Sequence, residues 1–476
     1  MPGPTSRPQP RHTVTLIEGD GIGPEIAASL VEVFAAAEAP IDFHRAEAGL
    51  ACAEKHGTPL PDPTLDSIRR NRVAIKGPTT TPIGAGHRSV NVAIRKALDL
   101  FASVRPCRSL PGVHTRFENV DVVIVRENIE DTYSGIEHAQ TPDVVQGLRL
   151  CTRPGAMAVA RHAFDLARRD GRSRVTCVHK ANIHKMTDGL FLECFRQTAR
   201  DYPTIQASDI LIDNCCMQMV SDPSRFEVLV TPNLFGDILS DLCAGLVGGL
   251  GVAPGGNLGH GRAVFEAVHG SAPDIAGRGV ANPTALLLSG VLMLRHLGLA
   301  AHAACIEAGV RLALVDGVRT RDLGGNASTV EFTHAVIANL RRHAQEHPAP
   351  VPRAAEPPAA PAAPAAGVVT VARENWVLRG CDIFIASDTE PRLPATIGPF
   401  TLSAVANRGS RIEPGRSAGV MLVNCFCCRY TSAGPVDDAQ VLALLAEVSR
   451  HSSWVHVEKL HEAQRDGKSL PRFSAL

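Results

Sequence analysis

No apolar run in this chain approaches the roughly 18 consecutive residues that a membrane-spanning helix needs, so no transmembrane segment is expected. A surplus of charge of either sign is also missing. The 48 basic residues stand against 48 acidic ones, and a chain without a net field has no general pull toward nucleic acid or an anionic membrane. Any anion site must therefore be a local cluster of arginines. The thirteen cysteines lack the even, dense spacing of a secreted disulfide scaffold. The opening Met1 to His12, rich in proline, lacks the apolar core of a signal peptide and reads as a disordered tail over residues 1–11. Reduced thiols in the cytoplasm are the simplest expectation.

What is present suffices for two or three domains, since 476 residues with 45% hydrophobic content can bury sizeable cores. Residues 348–366 are proline and alanine apart from Val351, Arg353 and Glu356, a composition that favours extended polyproline II, so 346–366 is read as a linker. Before it, β-rich runs such as Val14 to Ile17, Asp121 to Val125 and Val228 to Thr231 alternate with helical stretches. Ile26, Leu30, Val33 and Ala37 recur at helix spacing behind Pro24. This alternation predicts an α/β body with a largely parallel sheet. Beyond the linker, residues 367–476 predict a small α+β domain. Its expected strands are Val368 to Val371, Cys381 to Ala386, Phe400 to Asn407, Val420 to Tyr430 and Trp454 to Lys459, with a helix after Asp437.

Several segments combine residue types that carry chemistry. Gly19-Asp-Gly-Ile-Gly-Pro-Glu25 follows the first strand and opens a helix, but its spacing is wrong for a dinucleotide fingerprint. By itself it is a turn-forming cluster before it is a phosphate cradle. Lys76-Gly-Pro-Thr-Thr-Thr81 leads to Ser89-Val-Asn91-Val-Ala-Ile-Arg95, which places Ser89 and Asn91 near a helix start where backbone amides favour anions. Simple capping by Ser89, with Arg95 solvated, explains the same residues. Arg105 and Arg126, in flanking elements, shift the balance, because three guanidinium forks can converge on a substrate with several carboxylates.

Arg126-Glu-Asn-Ile-Glu-Asp-Thr-Tyr133 continues to His138 and adjoins the expected strand Asp121 to Val125. It reads as a strand delivering an active-site loop. Asp237 and Asp241, in Asn233-Leu-Phe-Gly-Asp-Ile-Leu-Ser-Asp241, share one face of a helix, either as a solvated face or as hard oxygen ligands for Mg²⁺ or Mn²⁺. Lys180, in Val178-His-Lys-Ala-Asn-Ile183, is a surface lysine unless a site claims it. Cys425, Cys427 and Cys428 have poor spacing for zinc and read as small buried thiols.

The stretch from Arg126 to His138 matches a signature of the metal-dependent β-decarboxylating dehydrogenases of 2-hydroxy acids, and four further segments agree with it. The chain resembles the isocitrate dehydrogenases of that family, in the bacterial form with an extra C-terminal domain. The resemblance spans residues 12–341 and the C-terminal part, where Asn407-Arg-Gly409, Cys428-Arg-Tyr430 and Trp454 to Leu460 carry it.

It implies an isopropylmalate-dehydrogenase-like two-domain fold that is not a Rossmann fold. Residues 12–101 and 262–345 would form a large domain, and 102–261 a small domain with the dimer interface. It implies that Thr81, Ser89, Asn91, Arg95, Arg105 and Arg126 bind the substrate, since isopropylmalate enzymes place apolar and acidic residues in that loop. Tyr133 is then the donor to the enol, and Lys180 the proton acceptor reaching into a partner's site. Asp237, Asp241 and the neighbouring subunit's carboxylate, here Asp213, would hold the metal. Glu266 to Gly277 and Asn282 resemble the cofactor loop, with His269, Gly270, Ser271, Ala272, Asp274, Ile275 and Asn282 at the cofactor.

NADP-preferring relatives have lysine and tyrosine where this chain has Asp274 and Ile275. A carboxylate accepts from a ribose 2′-hydroxyl and repels a 2′-phosphate. The expectation is NAD over NADP, although Arg278, Arg319 or Arg321 could approach a phosphate, and a tricarboxylate substrate in a homodimer. The C-terminal domain is assigned to assembly, with higher oligomers as its expected product. Sibling dehydrogenases of homoisocitrate, isopropylmalate or tartrate, and a catalytically silent regulatory subunit, are the rival readings.

Overall fold

The structure is a computed structural model, and residues 11–81, 89–346, 375–412, 421–465, 468–471 and 473 are described. The expected tail (apart from Arg11), nearly all of the linker and the expected strand Val368 to Val371 lie outside those residues. Two compact units emerge: Met1–Tyr133 with Cys151–Ile183 and Asp188–Ala365, and Ser134–Leu150 with His184–Thr187 and Ala366–Leu476.

The first unit is built on a ten-stranded sheet. Its spatial order is Ile41–Ala46, His12–Ile17, Val73–Lys76, Ala263–Ala267, Pro254–Leu258, Ala102–Arg108, Asp121–Glu127, Val228–Thr231, Arg174–His179 and Gln206–Leu211. Six pairings are parallel, and three in the middle are antiparallel. The expected parallel sheet therefore describes the wings, while Ala102–Arg108 and Pro254–Leu258 run against their neighbours at the centre. Strands such as Val73–Lys76 and Val228–Thr231 are buried along their whole length, as a sheet covered by helices on both faces requires.

The expected domain seams fall at the first residue of Ala102–Arg108 and just before Ala263–Ala267, so the sheet continues across both. Helix Gly23–Ala36 buries Ile26, Leu30 and Val33. It stops one residue short of Ala37, because Glu38 takes a left-handed φ of 51°, which cannot continue a helix. Among the described residues no helix is long and apolar enough to cross a membrane.

In the second unit an antiparallel sheet runs through Phe400–Asn407, Cys425–Thr431, Asn375–Ala386 and Trp454–Arg465. Helix Asp438–Val448 packs its Val441, Leu444 and Val448 into the same core as Ile383, Phe426 and Tyr430. Asp437 caps that helix in a reciprocal capping box with Gln440. Three expected strand limits need correction. The first strand begins at Asn375 rather than Cys381, the last extends to Arg465, and the central one starts at Cys425 rather than Val420. Its late start has a cause, since Asn407 donates to the Val423 carbonyl at 2.7 Å and accepts from Val423 N at 3.0 Å, tying that segment off the ladder.

Arg429 makes a two-pronged pair with Asp382, both contacts at 2.7 Å, and the Tyr430 hydroxyl donates to Pro394 O at 2.8 Å. Cys425, Cys427 and Cys428 are all buried. The hairpin Asp131–Thr141 with Val144–Leu150 joins this unit from Ser134 onward, and Thr141 donates to Asn424 at 2.8 Å.

Candidate active site

Alternation along a strand sends neighbouring side chains to opposite faces. Arg105, Arg126 and Glu266 come from three central strands and line one cavity of about 280 Å³ with Ser89, Asn91, Arg95, Tyr133, Asp237 and Asp241. Helix Asn233–Leu246 packs over the strands of Arg105 and Arg126 and supplies both aspartates. Helix Val90–Ala97 opens at the cavity, and its Ser89 side chain accepts from Val92 N at 3.4 Å. Capping and site-lining are thus both true of Ser89. Of the expected substrate-binding residues Ser89, Asn91, Arg95, Arg105 and Arg126 meet here. Thr81 is exposed and does not line this cavity.

The charges at the cavity are buried and unevenly matched. Arg126, 1% exposed, sends its fork to Asn233 at 3.0 and 2.7 Å, pairs with Asp237, and lies over the Tyr133 ring at 4.8 Å. Burial, reinforced by Arg105 and Arg95, lowers its pKa to about 10. Arg105 reaches Ser240, Asp237 at 3.4 Å and Asp241 at 3.7 Å.

Burial opposes ionisation of Asp237, yet Arg126 and Arg105 outweigh it and hold the carboxyl below its usual range. Asp241, with weaker cation contact, is raised by burial and by Asp237. The Tyr133 hydroxyl donates to Asp237, and burial followed by that bond raises the phenol, which keeps it protonated. Glu266 accepts from Lys76 at 2.9 Å, Arg95 at 3.1 Å and Asn257 at 2.8 Å. Burial works against its charge, but Lys76 and Arg95 overcome it and the carboxyl lies far below the ordinary value.

Sequence reasoning gave no role to Glu266, Lys76, Asn233 or Ser240. A carboxylate inside the fully buried Ala263–Ala267 and an ammonium ending Val73–Lys76 were the available signals, because such groups are rarely buried unless paired. The acidic residues after Arg126 behave differently from the expected catalytic loop. Only residues 128–130 separate two strands there. The carboxylates staple the turn: Glu127 accepts from Ile129 N at 2.8 Å, Glu130 from Thr152 N at 2.7 Å, and Asp131 from Leu234 N at 2.9 Å. Burial raises Glu127 to about 7.

Lys180 and Asp213 pair with each other at 2.8 Å but do not line the cavity of their own chain. Asp213 begins helix Ile212–Ser221, and the Lys180 hydrogen bond lowers its carboxyl.

The glycine cluster is a packed turn. At Gly21, with φ of 59°, an added Cβ would stand 2.0 Å from the Ser271 carbonyl. That carbonyl accepts from Ile22 N at 2.9 Å, and the Ser271 hydroxyl meets that of Thr80 at 2.7 Å. The Asp20 carboxylate accepts from Thr80 N at 2.8 Å and Leu50 N at 2.8 Å. Turn, threonine loop and the expected cofactor segment are therefore one knit surface. Within it Asp274 and Gly270 are exposed, Ala272 has a left-handed φ of 38°, and the buried His269 Nε2 has no hydrogen-bond partner. Asn282 donates to Asp322 at 2.8 Å and accepts from Thr284 N.

A parallel-rich sheet with a cavity at its antiparallel centre, lined by three arginines and three carboxylates, is the setting of an α/β protein that handles an anionic ligand. The model of the isocitrate/isopropylmalate dehydrogenase family matches residues 13–336, and that of the bacterial isocitrate dehydrogenase C-terminal domain matches residues 377–470. A catalytic subunit of mitochondrial NAD isocitrate dehydrogenase from Arabidopsis thaliana is 52% identical over 69% of this chain and 88% of its own length. An NADP isocitrate dehydrogenase from Thermus thermophilus is 42% identical over 95% of this chain and 94% of its own. The crystal structure of protein TT0538, also from Thermus thermophilus, superposes with a TM-score of 0.89 at 40% identity, covering 98% of this chain and 95% of that one. The chain belongs to the isocitrate/isopropylmalate dehydrogenase family, in its isocitrate dehydrogenase branch with the bacterial C-terminal domain.

Proposed function

We propose that this protein oxidatively decarboxylates isocitrate to 2-oxoglutarate and carbon dioxide with NAD as hydride acceptor, as a homodimer in the cytoplasm. The observation that carries the reading is the charge of the cavity. Arg95, Arg105 and Arg126 line it with Glu266, Asp237 and Asp241, and Lys76, behind the lining, pairs with Glu266, so that the cluster as a whole carries one positive charge in excess. A tricarboxylate with a divalent cation carries one negative charge and complements it.

The donor set fits such a cation. Asp237 and Asp241 stand one helical turn apart, are open to the cavity, and offer only hard oxygens. Asp237, Asp241 and the partner's Asp213 would hold Mg²⁺ or Mn²⁺, which would supply Lewis-acid polarisation at the substrate's hydroxyl. The orphaned His269 Nε2 and the exposed Asp274 fit a dinucleotide, and NAD supplies the hydride acceptor.

The remaining work falls to side chains. Arg95, Arg105 and Arg126 clamp the carboxylates, with Ser89 and Asn91 at the helix start and Thr81 at the loop edge as further substrate contacts. The partner's Lys180 takes the hydroxyl proton. Once carbon dioxide has left, Tyr133, kept protonated by its surroundings, returns a proton to the enol carbon. The pairing of Lys180 with Asp213 outside their own cavity supports a site shared between copies. Residues 12–101 with 262–345, and 102–261, act as two lobes that close on the substrate. The C-terminal domain serves assembly, and thirteen unpaired thiols suit a reducing compartment.

Asp274 supports NAD, whereas the similar full-length Thermus enzyme is named for NADP. Initial rates with isocitrate and Mn²⁺, run in parallel with NAD and NADP and with isopropylmalate and homoisocitrate as controls, test the reading. Metal-dependent NAD reduction with isocitrate alone is expected. A preference for NADP removes the cofactor assignment, and turnover of a control substrate removes the substrate assignment.

A further inference from the structure

The strands that carry the arginine cavity have a second face, and it is not closed. Val104 and Pro106 flank Arg105, Phe265 precedes Glu266, and Val123 lies three residues before Arg126. Alternation sends all of these away from the charged cavity. With Gly256 and Leu258 they floor a separate cavity of about 760 Å³. Helices Arg153–Arg169 and Thr284–His296 wall it with Leu166, Leu288, Val291 and Leu292. A single layer of backbone thus separates a polar pocket from an apolar one. The size lies within the roughly 300–1,000 Å³ of small-molecule sites, which pair an apolar lining with a few placed polar groups.

The polar groups stand at the edge and favour one charge. Three guanidiniums, Arg108, Arg169 and Arg295, line the cavity against two carboxylates, Asp170 and Glu307. All three guanidiniums already have carboxylate partners: Arg169 has Asp170 at 2.8 Å, Arg295 has Glu307, and Arg108 has Asp121 at 2.9 Å. Arg108 shares Asp121 with Arg172, so that the edge keeps one positive charge in excess. The guanidiniums remain 40–56% exposed. The two histidines of the lining bring no further charge, since burial lowers His162 to about 4 and also lowers His296.

We propose that this cavity is a second binding site, for a small amphipathic monoanion whose aromatic or acyl body lies on the apolar strands while its acid group meets the guanidinium edge. The apolar floor gains dispersion contacts that it lacks when empty, and guanidiniums recognise the acid by charge-assisted hydrogen bonds. The proposal does not rest on the proposed activity, because the two cavities share no lining residue.

The probe is 8-anilinonaphthalene-1-sulfonate, an aromatic monoanion, titrated by fluorescence against the full chain. One saturable site per chain is expected. Leu292→Trp, which fills the cavity, should weaken binding at least tenfold. Ala300→Trp, at an exposed lining position, should act the same way and guards against a folding defect in the first variant. Both are checked by melting temperature and near-ultraviolet circular dichroism. The uncharged N-phenyl-1-naphthylamine should bind at least fivefold more weakly than the sulfonate. Absence of saturable binding, or wild-type binding by both folded variants, overturns the site. Equal binding of the neutral probe overturns its preference for an anion.

Discussion

Two buried arginine systems in this molecule follow opposite rules. In the C-terminal unit Arg429 meets Asp382 through two bonds of 2.7 Å, and the pairing raises the guanidinium pKa. In the catalytic unit Arg126 shares Asp237 with Arg105 and Tyr133, and its pKa is lowered to about 10. The closed pair is architecture. The open cluster keeps a cation that its own fold disfavours by ~3 kcal/mol, since each pKa unit is worth about 1.4 kcal/mol. Such a charge is retained where a ligand completes it.

The largest effect should come from Arg126→Ala. Truncating one partner of a buried charged contact to a ligand costs ~2–5 kcal/mol of binding, so kcat/KM for isocitrate is expected to fall about 10³-fold, while loss of a cation that burial disfavours leaves the melting temperature unchanged or higher. An equal loss of stability would erase the distinction between the two systems. Tyr133→Phe comes next. Its kcat should drop roughly 10²-fold, on the scale of one acid–base group, with KM changed by less than about twofold; a large KM rise with normal kcat would make Tyr133 a binding residue instead.

Asp382→Ala tests the closed side. Stability of the C-terminal unit should fall by about 2–3 kcal/mol, below the full cost of a buried pair because some solvent reaches the aspartate, with initial rates within twofold of wild type. A collapse in rate without unfolding would contradict a purely architectural role.

The last effect is in pH. The Glu266 carboxyl is depressed in the fold, so its stabilisation is complete above the unfolded value near ~4.3. It is lost as pH falls through the folded value. Denaturation midpoints of wild type and Glu266→Gln should therefore differ most at neutral pH and converge in acid. A gap that widens in acid would reverse the sign.

Much of the catalytic unit was legible because its signals are local. Ser89 caps a helix, Asp237 and Asp241 share one, and the strand from Asp121 runs straight into Arg126. What could not be read depends on partners far away in the chain. Glu266 meets Lys76 across 190 residues, and no spacing rule reaches that distance. The antiparallel centre was hidden because Pro254-Gly-Gly-Asn-Leu258 reads as a turn, where β propensity yields to tertiary pairing. The carboxylates after Arg126 drew the eye toward chemistry, although three of them hold backbone amides. In the C-terminal part Asp437 announced its helix, while the contact of Thr141 with Asn424 joins segments that no local pattern relates.

The pairing of Ala263–Ala267 with Val73–Lys76 also sets a timetable for a chain leaving the ribosome. At ~5–20 residues per second, the ammonium of Lys76 is made roughly 10–40 seconds before its counter-ion Glu266 exists. Over that interval the strand Val73–Lys76 has an open edge where its neighbour will add. The first lobe to be synthesised is thus among the last to be completed, and a nascent chain stopped before residue 263 should hold an apolar edge of the kind that chaperones grip.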